Sequence, residues 1–102
     1  MKEPIQFGDY IRKLRQQEGT PLRKIAAQLD IDPSTLGKIE KNRRNASGDQ
    51  IDGLSKIFKV SPEDLNTLYM SDRLAEELAN FPYSDEILEM TRKKISSQKN
   101  KP

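Results

Sequence analysis

The chain has 102 residues, 33% hydrophobic and 33% charged, with five Gly and six Pro, which fits one domain with a modest core and a helical chain, not a disordered one. It contains no Cys and no His, which removes disulfides, thiolate metal sites, and the commonest general base and metal ligand. The net charge is only +2, no apolar run approaches the roughly 20 residues that span a bilayer, and the first residues lack a signal-peptide core, so a reducing, cytoplasmic setting is expected.

Residues 1–6 read as a loosely packed arm. A helix over residues 7–18 follows, because Phe7, Tyr10, Ile11 and Leu14 fall on one face of a 3.6-residue period. Gly19 is its stop. Thr20 and Pro21 restart the chain as N-cap and first helical residue, and Leu22, Ile25, Ala26 and Leu29 repeat the inward pattern. Ala26 and Ala27 either let another helix cross closely or are simply good helix formers. Asp30, Ile31 and Asp32 make a turn, with Ile31 as the apolar plug and Asp32 as the cap of a third helix that begins at Pro33. Leu36 and Ile39 face inward, which turns Ser34, Thr35, Gly37, Lys38 and Lys41 outward or sideways. Gly37 costs about 1 kcal/mol in mid-helix relative to Ala. Either something must approach it closely, or it is a neutral surface glycine.

Residues 38–44 then carry four bases and one acid. A helix C-terminus attracts bases through its dipole alone. This cluster, however, directly follows a helix with a polar outer face. Ser47 and Gln50 form a capping box for a fourth helix that buries Ile51, Leu54, Ile57 and Phe58 and closes at Val60. Ser61 and Pro62 open a fifth, with Leu65, Leu68 and Tyr69 facing in. Leu74, Leu78 and Phe81 extend helical spacing over residues 71–80, in continuity with the fifth helix or as a separate piece. Pro82 breaks the pattern. Ser84 can cap a last helix over residues 85–96, and the polar tail from residue 96 onward is expected to be disordered.

Two helices joined by a tight turn, the second polar on its outer face and followed by bases, is the layout of a helix-turn-helix that lays its second helix in a DNA major groove. The charge is segregated accordingly. Residues 1–62 hold 12 Lys/Arg against 8 Asp/Glu, whereas residues 63–91 hold eight acids and a single base, Arg73. A phosphate backbone would be drawn to the first part and repelled by the second.

The segment 7–69 also resembles a known family. F-x-x-x-I-R-x-L-R in the first helix, I-A-x-x-L-D-I-D-P-S-T-L-G-K-I-E-K, then N-R-R, I-x-x-L-x-x-I-F-K-V and S-P-E-D-L follow the order and spacing of phage-repressor and Cro-like helix-turn-helix domains, the XRE-type regulators. The resemblance implies an all-α fold: a five-helix DNA-binding domain over residues 1–70 with a helical C-terminal extension over residues 71–102. It implies a sequence-specific transcriptional regulator of the prokaryotic or phage type, bound to double-stranded DNA as a homodimer, with a recognition helix over about residues 33–41.

By the same resemblance Pro33, Ser34, Gly37 and Lys38 fall where base edges are read, and Lys38 can donate to guanine O6 and N7. Arg23, Thr35, Lys41, Arg43 and Arg44 fall at phosphate-contacting positions. Arg15 and Glu40 fall where an ion pair joins the first and third helices. Three positions depart from the pattern. Leu22 stands where many members have a phosphate-binding Gln, which passes that contact to Arg23 or to backbone amides. Asp30 replaces the usual turn glycine. Pro33 lacks an N–H, which points to narrower base readout helped by DNA shape. A subgroup with LRKIAAxLDID carries similar C-terminal extensions, and some of its members sit beside DNA methyltransferases, which suggests restriction-modification control.

The apolar residues Leu74, Leu78, Phe81, Ile87, Leu88 and Ile95 of the extension either make the dimer interface or fold back on the monomer. The competing function is a protein-interaction module, an antitoxin or accessory subunit. An enzyme is not expected, since no phosphate-binding glycine loop is present and Asp30 with Asp32 is accounted for by turn and cap chemistry. No cofactor, metal, membrane contact or small-molecule effector is expected.

Overall fold

The computed structural model describes residues 5–100, all of whose regular structure is helical. Six helices follow one another: α1 (Phe7–Glu18), α2 (Leu22–Leu29), α3 (Pro33–Glu40), α4 (Gly48–Phe58), α5 (Pro62–Leu78) and α6 (Ser84–Lys99). Two compact units are present, one reaching to Asp72 and one starting at Arg73, with the division inside α5.

The first unit is built around one apolar cluster. Ile11, Ile25, Leu36, Ile39, Leu54 and Leu65 are fully withdrawn from solvent and come from each of α1–α5. Burying each contributes roughly 2 kcal/mol, which is why the short helices persist at lengths marginal in isolation. Four of these five helices end in the same way. The chain enters the left-handed region at Gly19 (φ 70°), Asp30 (φ 57°), Asn42 (φ 60°) and Lys59 (φ 55°). The next amide then folds back onto the last turn: Thr20 onto Arg15, Ile31 onto Ala26, Arg43 onto Lys38 and Val60 onto Ser55, at 2.9–3.2 Å. This closure satisfies carbonyls that the helix itself leaves open. Asp30 therefore takes the conformation ordinarily given to glycine, which Asp tolerates better than most residues.

The helix starts are less uniform. Ser47 and Gln50 make the full capping box, with Gln50 N–H on Ser47 Oγ at 3.1 Å and Ser47 N–H on Gln50 Oε1 at 2.9 Å. α2 begins one residue later than expected: extended Pro21 is its N-cap and Leu22 its first residue, so Thr20 lies outside. Asp32 occupies the N-cap of α3 with Pro33 at the first position, but its side chain makes no cap bond.

Of the two alternatives for residues 71–80, continuity holds: α5 is one uninterrupted helix from Pro62 to Leu78. In the second unit α6 runs further than its apolar spacing suggests. Ser84 is its first residue, not its cap, and residues 96–99, expected to be disordered, complete it. Ser96, Ser97, Gln98 and Lys99 are all polar, so an apolar pattern cannot mark this part of the helix, although Gln and Lys are good helix formers. Residues 1–4 of the expected arm and residues 101–102 of the tail lie outside the described residues. Leu88 and Ile95 of α6 are about half exposed and the helix has no buried residue. No helix among the described residues is long and apolar enough to cross a membrane.

Candidate nucleic-acid interface

Ala26 of α2 is completely buried in the core, whereas Ala27 remains exposed. Leu36, Ile39 and Glu40 form the inner face of α3. Ser34 and Lys38, one helical turn apart, share the opposite face and are exposed, as is Pro33 at the helix start. Gly37 lies between the faces. A Cβ there would meet only Leu22 Cδ2, at an ordinary 3.7 Å, so no neighbour inside the protein requires glycine at this position. Arg23 is exposed at the start of α2.

Glu40 is a buried carboxylate, 4% exposed, and Arg15 of α1 neutralises it in a two-pronged pair: Nε to Oε2 at 2.7 Å and Nη2 to Oε1 at 2.9 Å. Arg15 Nη1 also donates to the Thr20 carbonyl at 3.2 Å, so the same side chain holds the chain entering α2. The hydrogen bond to Glu40 raises the Arg15 pKa above the usual guanidinium value, against a smaller desolvation effect. A raised pKa means that this stabilisation is complete below the ordinary guanidinium value and is lost only as strongly alkaline pH titrates the folded group. The pair thus persists across the neutral range and orients α3 on α1.

The basic segment leaves α3 without slack. Arg43 N–H bonds to the Lys38 carbonyl at 2.9 Å and Asn42 N–H to the Ile39 carbonyl at 3.0 Å. Lys41, Arg43 and Arg44 are exposed. Thr35 and Arg44 line an open depression together with Asp30, Asp32 and Gln50. Arg44 therefore shares its surface with two carboxylates, and Thr35 lies on the flank of α3 toward the α2–α3 turn.

Residues without any assignment from the sequence complete the arrangement. The first amides of α1 have no partner within the helix. Here Phe7 N–H donates to Asp72 Oδ2 at 2.6 Å, and Gly8 N–H donates to Asn42 Oδ1 at 2.8 Å. Asn42 Nδ2 donates in turn to Gln6 Oε1 at 3.3 Å. A Cβ on Gly8 would overlap the carbonyl oxygens of Ile39 and Glu40, so α1 approaches the end of α3 backbone to backbone. An Asn just past a helix end is a recognisable signal for the left-handed turn. Nothing local in the sequence ties Gly8 or Asp72 to their partners. Among the described residues no cluster of three or more His, Cys, Asp or Glu could hold a metal ion.

Comparison with known proteins gives a consistent picture. The helix-turn-helix family model matches residues 11–65, more than half of the chain. Control protein C.BamHI of Bacillus amyloliquefaciens is 33% identical over 60 residues, which is 58% of this chain and 74% of that protein. The crystal structure of the restriction-modification controller protein C.AhdI from Aeromonas hydrophila is 30% identical, with a TM-score of 0.54 over 58% of this chain and 89% of that one. A hypothetical protein from E. coli gives a TM-score of 0.68 over 84% of this chain and 88% of its own, and at 18% identity it bears on the fold alone.

Proposed function

The chain belongs to the helix-turn-helix family, and from that premise we propose that it regulates transcription as a homodimer bound to a specific double-stranded DNA site. α3 enters the major groove with Pro33, Ser34, Gly37 and Lys38 toward base edges, Pro33 without an N–H to donate. Lys38 supplies the main discriminating contact, to guanine O6 and N7. Arg23, Thr35, Lys41, Arg43 and Arg44 meet the flanking phosphates and carry register and affinity without sequence information. Two copies related by a two-fold axis set their α3 helices about 34 Å apart, one DNA turn, on a palindromic site. The exposed apolar residues of the C-terminal unit, Leu74, Phe81, Leu88 and Ile95, form the interface between copies. Similarity to the restriction-modification controller protein C.AhdI supports a restriction-modification system as the regulated target, in a cytoplasmic bacterial or phage setting.

One observation carries this reading. The outer face of α3 has no task inside the protein, yet the helix is fixed on α1 by the Arg15–Glu40 pair and continues without slack into a basic segment. A polar face held rigidly beside exposed bases is suited to a groove and its phosphates.

Selection from random duplexes, followed by titration at several salt concentrations, tests the proposal. A single enriched, two-fold-symmetric site is expected, bound in the nanomolar range with steep loss in salt. Lys38→Ala should alter the preferred base at one position of each half-site. Arg43→Ala with Arg44→Ala should weaken every duplex by a similar factor. Equal losses from both variants on every sequence would refute this division of labour, and absence of duplex binding with retention of a protein partner would favour an interaction module.

A further inference from the structure

Asn42 is neutral, sits between two exposed cations, and spends both ends of its amide on α1 and the residue before it. Its backbone (φ 60°) makes the turn that ends α3, with the Asn42 and Arg43 amides on the Ile39 and Lys38 carbonyls at 3.0 and 2.9 Å. Its side-chain oxygen takes the Gly8 amide at 2.8 Å, and its side-chain nitrogen reaches Gln6 Oε1 at 3.3 Å. Gly8 can come this close only because it lacks a Cβ. The Asn42 side chain is thus tied by two hydrogen bonds to the start of α1, although Asn42, like Lys41 and Arg43 on either side, is exposed. The same helix start is held from another side by Asp72, whose Oδ2 accepts the Phe7 amide at 2.6 Å.

We infer that Asn42 is a positioning residue for DNA binding: by fastening the segment after α3 to the start of α1, it holds Lys41 and Arg43 so that both meet one sugar-phosphate strand. Any glycine could make the turn. Only a residue with a side-chain acceptor makes the turn and also caps Gly8. The arrangement gives α1 and α3 two fastenings, Arg15–Glu40 along the helices and Asn42–Gly8 at their meeting ends. Without the second, the basic segment would keep its charges but lose its fixed direction, and each phosphate contact would have to order it anew.

This inference rests on the DNA-binding reading above, and Asn42→Gly separates the two. Glycine keeps the left-handed turn and removes no charge. The salt dependence of duplex affinity counts the phosphates neutralised, with a slope of about −0.9 for each. Because no cation is deleted, a shallower slope in Asn42→Gly means that Lys41 or Arg43 no longer reaches its phosphate, which a change in stability alone would not produce. The expected result is a slope shallower by about 0.9 for each phosphate that a protomer ceases to neutralise, with affinity for the selected duplex reduced about tenfold. In an Arg43→Ala background, Asn42→Gly should add much less than it does alone. An unchanged slope, or full additivity with Arg43→Ala, overturns the inference.

A second measurement uses the unmodified protein. Hydrogen exchange at the Gly8 amide should be as slow as at mid-helix amides of α1, despite its place in the first turn. Fast exchange there overturns the inference whatever the variants do. If the unmodified protein binds no duplex selectively, it is the DNA-binding reading that fails.

Discussion

Gly37 and Glu40 lie three residues apart on α3 and answer to different demands. Gly37 has open space on its protein side, so the roughly 1 kcal/mol that mid-helix glycine costs is not offset by packing. Gly37→Ala is therefore expected to raise the thermal midpoint of the free protein, by up to about 1 kcal/mol of stability, while weakening the selected duplex. Thermal melting and binding titration on the same variant check both signs. Glu40 is buried, and its charge is matched by Arg15 alone among the described ion pairs. Arg15→Ala strands that carboxylate and should destabilise the fold by about 3 kcal/mol, the lower end for a broken buried pair because Arg15 keeps some solvent exposure. Replacing both residues by apolar ones of similar size should recover part of the loss, as measured by urea unfolding of the two single variants and the double. The exposed Arg92–Glu89 pair of α6, at 2.6 Å, offers the contrast, since solvent leaves such a pair with little net worth.

At the scale of elements, the helices were written in the chain by local rules. Phe7, Ile11 and Leu14 mark a face of α1, Ser47 and Gln50 mark the start of α4, and Gly19 marks an end. The start of α2 moved by one residue because extended Pro21 serves as cap without needing a donor of its own. The far end of α6 escaped because polar residues carry no periodic signal. Within the candidate interface the outer face of α3 followed directly from which of its residues are apolar. The close approach of α1 to α3 did not, since it depends on a glycine meeting backbone from a helix about 30 residues away along the chain. Gly8→Ala tests that approach: its methyl would overlap the Ile39 and Glu40 carbonyls, and a loss of about 1–3 kcal/mol is expected by chemical denaturation. An unchanged midpoint would mean that α1 can shift off α3 freely. The same substitution at Gly48, where a Cβ meets nothing, should leave stability nearly unaffected and serves as the control.

For the whole molecule, the question is what the C-terminal unit contributes. Its α6 has exposed Leu88, Met90 and Ile95 and no buried residue, an apolar content that a purely solvated helix does not need. Leu88→Glu with Ile95→Glu in the full chain should shift sedimentation equilibrium toward monomer without loss of helical signal, because neither side chain belongs to the core of its own chain. Affinity for a two-half-site duplex should fall with it, while binding to a single half-site should not. A dimer as tight as that of the unmodified protein would exclude these residues from the interface. The acids over residues 63–91, against the single base Arg73, are expected to repel phosphates from that stretch.

The amino-acid order alone determined that the protein is helical, to within a residue where α1 to α5 begin, which face of each turns inward, and which helix pairs a polar outer face with bases just beyond its end. These properties rest on neighbours within one or two turns, and such neighbours are fixed by chain connectivity. The tertiary structure alone decided that Asn42 and Asp72 cap α1, that Gly8 abuts the end of α3, and that Arg44 shares a depression with Asp30 and Asp32. Those partners are 34 and 65 residues apart in the two caps. Hydrogen bonds of that span follow from how packed helices are directed, and helix direction is set by the shape of the buried side chains together, not by any one stretch of sequence.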